Sequence, residues 1–327
     1  MCSWFITVID KDEGEDMMLD SVAVRTITPI LLLIGTGFFS RRLGILRSGD
    51  ERVLSAFVYH FALPSLFLIN MAEIALTEET IRFMVAGILP VLFVLVAYLA
   101  LYLSLRFSNE TLYLLILSTV FGSTAFFGIP FVTFAFGTRQ AEQLAAASSA
   151  SISIVSVTIS ITILELHRLE EPTLRHGLKR VIQRLSRNPL IISILSGVLL
   201  SIAGAEIPAP VSTSLHMLGG STSTVAIFML GVSLYGRKYT NIAKASGLSL
   251  LRIVFLPALA FLVTTLFNLP DVETSILVLM HCMPVALSMI VLSERYDFQK
   301  QTIQSLILIS SLGAAVYLNL WLLLLSH

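Results

Sequence analysis

The chain has 327 residues, of which 56% are apolar and only 13% charged, with a net charge of +0 and a mean hydropathy of +0.87. A soluble domain carries about a quarter charged residues, so this composition excludes a water-soluble globule. A neutral balance without a basic arm or zinc-finger spacing removes the electrostatic basis of nucleic-acid binding, and Cys2 and Cys282, one in the N-terminal stretch and one in an apolar run, offer neither a disulfide framework nor a metal cluster.

Residues 1–21 hold Asp10, Asp12, Glu13, Glu15, Asp16 and Asp20 and read as an acidic, disordered tail without the basic flank of a signal peptide, with Met17 and Met18 as alternative starts. Apolar runs follow at Val22 to Phe39, Val53 to Ala72, Ile81 to Leu105, Leu112 to Phe136 and Ala141 to Leu166. After a polar stretch come Asn188 to Ala205, Val211 to Leu234, Ala243 to Phe267, Thr274 to Leu292 and Thr302 to Leu325. A bilayer core takes about 20 apolar residues per helix, and lipid requires every backbone group to be bonded within the segment, so each run predicts a membrane helix. Ile152 to Ile163 alternates apolar and hydroxyl residues with the period of a strand, but no other run does, and a barrel needs many such segments. The expected fold is therefore an all-α membrane protein of ten transmembrane helices.

Orientation follows from the loop cations. With both termini outside, most of the 21 basic residues fall on the cytoplasmic side, including Arg41, Arg42, Arg47 and Arg52, the group from Arg168 to Arg187, and Arg237, Lys238 and Lys244. The chain then divides into the tail 1–21, a five-helix block 22–166, a cytoplasmic linker 167–187 and a second five-helix block 188–327. An odd number of spans per block sets the second block upside down relative to the first, the layout of two inverted repeats. Pro90 answers Pro257 and Pro130 answers Pro284 in that layout.

The fourth and ninth runs each carry a proline near the middle, Pro130 and Pro284. Proline lacks an N–H and clashes with the preceding turn, so the carbonyls of Phe126 and Met280 lose their helical partners, and Ile129 and Met283 are expected to leave helical geometry. Gly122 and Gly128 add freedom. The expectation is two broken helices at matching depth whose half-helix N-termini, each with about half a positive charge and free N–H groups, face the midplane and suit an anion. Simple kinks are the alternative, since proline is common in membrane helices.

Gly128-Ile129-Pro130 in the fourth run, Ala62-Leu63-Pro64 in the second, Phe228-Met229-Leu230-Gly231 in the seventh, and Pro284 followed by Glu294-Arg295-Tyr296 in the ninth resemble the auxin efflux carrier family. That family holds plant PIN-type carriers and prokaryotic carriers, some assigned to malonate or other carboxylates. The resemblance runs from about Leu31 to Leu325 and implies a scaffold domain and a transport domain, with the fourth and ninth helices crossing at Pro130 and Pro284 and substrate bound beside the crossing. Ser123 and Thr124 stand where the family often has Asn-Thr. The shorter serine makes fewer hydrogen bonds, so no particular substrate follows by analogy.

Candidate substrate-binding residues are Ser123, Thr124, Gly128, Pro130, Pro284, Ser288 and Arg252. Arg252 lies well inside the eighth run, where a charge costs a few kcal/mol and calls for a partner, a substrate carboxylate, or snorkelling to the interface. His60, His216 and His281 are either proton relays or packing residues. Ser149, Ser153, Ser156 and Ser160 share one helical face, which lines a path or mediates helix packing. No catalytic constellation appears, so no enzyme, cofactor or metal is expected. These features point to a cell-membrane carrier of a small organic anion working by alternating access, with proton or sodium coupling and a homodimer both compatible. A sodium-coupled bile-acid-type symporter and a receptor that binds without transporting are the rivals.

Overall fold

The computed structural model describes residues 28–325, apart from 30, 169–182, 184–185, 237–238 and 287, and these are organised as helices without a β-sheet. The acidic tail and nearly all of the linker therefore lie outside the described residues. In chain order the helices are α1 (31–42), α2 (Asp50–Glu73), α3 (Glu78–Leu105), α4 (Asn109–Val120), α5 (Thr124–Phe136), α6 (Arg139–Arg168), α7 (Pro189–Ile202), α8 (Ala209–Leu234), α9 (Ile242–Leu266), α10 (Asp271–Cys282), α11 (Ser288–Tyr296) and α12 (Lys300–Leu325). Six of them, α2, α3, α6, α8, α9 and α12, are long and apolar enough to cross a membrane. The alternating stretch Ile152 to Ile163 is helical within α6.

Local chemistry sets the ends. Thr77 and Ser108 accept hydrogen bonds from the Thr80 and Thr111 N–H groups at the starts of α3 and α4, and the Asn188 side chain accepts from Leu190 before α7, which begins with Pro189. Gly137 ends α5 with φ 64°, a left-handed turn open to glycine. Outward faces are apolar: Leu312, Val316, Leu320 and Leu324 recur every four residues on the exposed side of α12, and Ile192, Leu195, Leu199 and Ile202 recur at three- and four-residue spacing on that of α7. Such stripes fit hydrocarbon rather than water.

Three wide turns, Val58–Ala62 in α2, Thr124–Gly128 in α5 and Leu251–Phe255 in α9, are closed by i→i+5 hydrogen bonds. Each ends two residues before a proline, namely Pro64, Pro130 and Pro257. Widening the turn moves the carbonyl four residues back away from the proline ring. At Pro257 that carbonyl belongs to Ile253 and accepts instead from Trp321 Nε1 of α12 at 2.8 Å.

The helices form two groups. In one, α2 packs against α7 and α8, and α1 lies so close to α8 that a β-carbon at Gly37 or Gly231 would strike the opposing backbone. In the other, α3, α4, α5, α6, α9, α10, α11 and α12 pack together. The groups meet where α2 touches α6 and α8 touches α5. An apolar cluster there joins Ile34, Ile227 and Leu230 to Phe127, Phe131 and Met283.

Candidate functional site

The fourth and ninth runs, which carry Pro130 and Pro284, are both interrupted. The chain between α4 and α5 (residues 121–123) and between α10 and α11 (residues 283–286) is non-helical, and the two pieces pair antiparallel at Gly122 and Val285. Ser123 N–H donates to the Pro284 carbonyl at 2.7 Å and Ala286 N–H to the Phe121 carbonyl at 3.0 Å. Val285 N–H donates to Ser310 Oγ of α12 at 3.2 Å. Backbone groups released by the breaks thus bond mainly to each other, as a buried apolar setting demands.

One expectation is corrected. Ile129 keeps helical angles, φ −58° and ψ −50°, because the wide turn absorbs the strain of Pro130 that would have pushed it out. The break therefore lies at residues 121–123, upstream of Pro130, and not at the proline itself. Met283 leaves helical geometry as the following proline requires, with ψ 144°.

Arg252 lies at the pairing. It is 1% exposed, so it does not snorkel. Its Nε donates to the Met283 carbonyl at 2.8 Å and its Nη1 to the Thr119 carbonyl. One guanidinium therefore bridges the ends of α4 and α10. A β-carbon at Gly122 would overlap the guanidinium, so only glycine leaves room for it. Among the described residues Arg252 has no carboxylate partner.

The other candidates surround this point. Ser123 and Thr124 are buried, and Thr124 Oγ1 accepts from Ser149 Oγ at 3.1 Å and lies 3.4 Å from Ser153 Oγ, which brings half of the α6 serine stripe to the break. Ser156 and Ser160 are buried with no hydrogen-bond partner among the described residues. Gly128 N–H donates back to the Ser123 carbonyl at 3.0 Å. The first turn of α5 offers the N–H groups of Thr124 to Phe126, which no earlier residue of that helix can accept. Pro130 and Pro284 are buried and Ser288 is half-buried at the start of α11.

The histidines separate. His60 is exposed. His281 is buried in α10 with Nδ1 2.8 Å from the Leu277 carbonyl and Nε2 3.0 Å from the Gly87 carbonyl of α3. A neutral imidazole can donate to one of these acceptors and an imidazolium to both. His216 of α8 lies 2.9 Å from Glu73 at the end of α2, and Glu73 also accepts from Arg139 at 2.6 Å. This cluster crosses between the two helix groups and borders a cavity of about 360 Å³ lined by Asn70, Thr133, Thr138, Arg139, Glu142 and His216. Sequence reading missed it, because Glu73 and Arg139 stand at run ends, where a charge is unremarkable.

Against known proteins, the model of the membrane transport protein family matches residues 22–322. The chain is 27% identical over 304 residues to the uncharacterized transporter MJ1031 of Methanocaldococcus jannaschii, covering 89% of this chain and 95% of the relative. It is 20% identical over 300 residues to the uncharacterized transporter YfdV of Escherichia coli K12, covering 90% and 95%.

Proposed function

Because the chain belongs to the membrane transport protein family, that of the auxin efflux carriers, we propose that it is a secondary carrier that moves a small organic anion by alternating access around the paired breaks. The observation that carries this reading is the buried Arg252 guanidinium, held without a carboxylate partner among the described residues beside two interrupted helices. A fixed cation and the open first turn of α5 together favour a carboxylate-like ligand. In this reading Ser123, Thr124 and Ser288 supply hydroxyls, Gly128, Pro130 and Pro284 shape the backbone, and Arg252 offsets the carbonyl ends of α4 and α10 so that the positive first turn of α5 faces the anion. The relatives are named as transporters, which favours transport over an enzymatic role.

The same reading counts α4 with α5, and α10 with α11, as one broken span each, giving ten spans in two inverted five-helix repeats, 22–166 and 188–327. Its support is that each spatial group takes corresponding helices from both halves: the first two of each, and the remaining three of each. Both termini face outward from the cell membrane, by the basic-residue asymmetry. Single cysteines in the Arg168 to Arg187 loop should be shielded from an impermeant thiol reagent in intact cells while one near Pro208 reacts, and the reverse pattern would overturn the orientation.

Thermal-shift screening of purified protein against organic acids, followed by uptake of the stabilising acid into sealed proteoliposomes, tests the function. Saturable uptake is expected. An acid that binds without entering the vesicles would make the protein a receptor.

A further inference from the structure

Two helix C-termini converge at the pairing. α4 ends at Val120 and α10 at Cys282, and the last carbonyls of each carry the negative pole of the helix, about half a charge, without intrahelical donors. Two such poles buried side by side require a cation. In transporters with interrupted helices, freed carbonyls and half-helix C-termini are the groups that hold a coupling sodium ion. Hard oxygen ligands of this type suit a metal cation, yet here a side chain already occupies them. Arg252 bonds the Thr119 carbonyl at the end of α4 and the Met283 carbonyl at the end of α10, and Gly122 leaves room for it.

We propose that Arg252 is a built-in counter-cation, standing where a metal cation would otherwise be held, so that the crossing is complete without sodium. A guanidinium stays charged in proteins and its planar fork spans two acceptors, which a lysine ammonium cannot match in geometry. Its position in the wide turn Leu251–Phe255, which precedes Pro257, fixes it to the group that carries both breaks. Sodium therefore has no role in assembling the site. The inference rests on the crossing being the transport site, and it bears on what drives transport: the anion moves with protons or down its own gradient.

The test reads stability rather than uptake, so its outcome stands apart from whether any anion is carried. Purified protein is melted in chloride salts of sodium, potassium and choline at equal ionic strength. The parent should show one Tm in all three. Arg252→Ala should melt several degrees lower, recover part of that loss in low-millimolar guanidinium chloride, and melt higher in sodium than in choline, while guanidinium leaves the parent unchanged. A parent Tm that rises specifically in sodium would overturn the proposal, and so would an Arg252→Ala protein that neither cation restores. Arg252→Lys and Arg252→Gln decide the matter if the alanine variant does not fold: the lysine variant should be the more stable of the two, and a glutamine variant equal or superior to it would show that no cation is required there.

Discussion

Arg252 and Arg139 are the same residue in opposite situations. Arg252 is buried and donates to backbone carbonyls of two helices within one group. Arg139, whose side chain is 69% exposed, pairs with Glu73 across the boundary between the groups. A buried charge that loses its acceptors pays a desolvation penalty in full, whereas an exposed ion pair exchanges its partner for water at a net cost of about 0–1 kcal/mol. The molecule is thus held tightly within the group that carries the breaks and lightly at the polar edge between groups. In the proposed alternating-access cycle, relative motion of the groups would break contacts such as Arg139–Glu73 and leave the crossing intact.

The strongest way to break this contrast is at the crossing. Gly122→Ala should displace the guanidinium, and Arg252→Gln should strand the Thr119 and Met283 carbonyls; each is expected to cost roughly 2–5 kcal/mol, seen as a large fall in Tm. Combining them should cost much less than the sum, because both remove the same interaction. A full sum would mean that Gly122 matters for some other reason.

A smaller effect is expected one step away. Tyr98 of α3 hydrogen-bonds Thr119 Oγ1 at 2.9 Å in a buried position, so Tyr98→Phe should destabilise by about 0.5–1.5 kcal/mol. Thr119→Val in the Tyr98→Phe background should then add little. Pro284→Ala is in the same range, because alanine retains the carbonyl that accepts from Ser123 while regaining freedom in the unfolded chain. Thermal denaturation of each variant against the parent measures both.

The smallest effects belong to the boundary. Glu73→Gln and Arg139→Gln should each change stability by about 0–1 kcal/mol, less in high salt. They should nonetheless ease separation of the groups, read as faster alkylation of the buried Cys282, which packs in the apolar cluster between them, in a protein with Cys2 replaced by serine. The charge-exchanged pair Glu73→Arg with Arg139→Glu should return the rate toward the parent. Equal rates throughout would show that the pair does not restrain the groups.

Six of the expected spans, which the structure shows as helices long and apolar enough to cross a membrane, were legible because lipid leaves a chain few options: a run such as Ile81 to Leu105 has to satisfy its own backbone, and the helix Glu78–Leu105 follows. Caps such as Thr77 and Ser108 act within a few residues and are local in the same way, but the sequence expectations did not name them. The location of the break did not follow from Pro130. It depends on Pro284, Ala286 and Arg252, which bond the Ser123 N–H, the Phe121 carbonyl and the Thr119 carbonyl from far along the chain, and no local rule names such partners. The sequence showed that a charge at Arg252 needs a partner, a substrate carboxylate or a route to the interface, since the cost of burial is a property of the residue. Only the tertiary structure decided that the acceptors are the carbonyl ends of two interrupted helices, because an unpaired carbonyl is indistinguishable in sequence from a bonded one until the chain has folded around it.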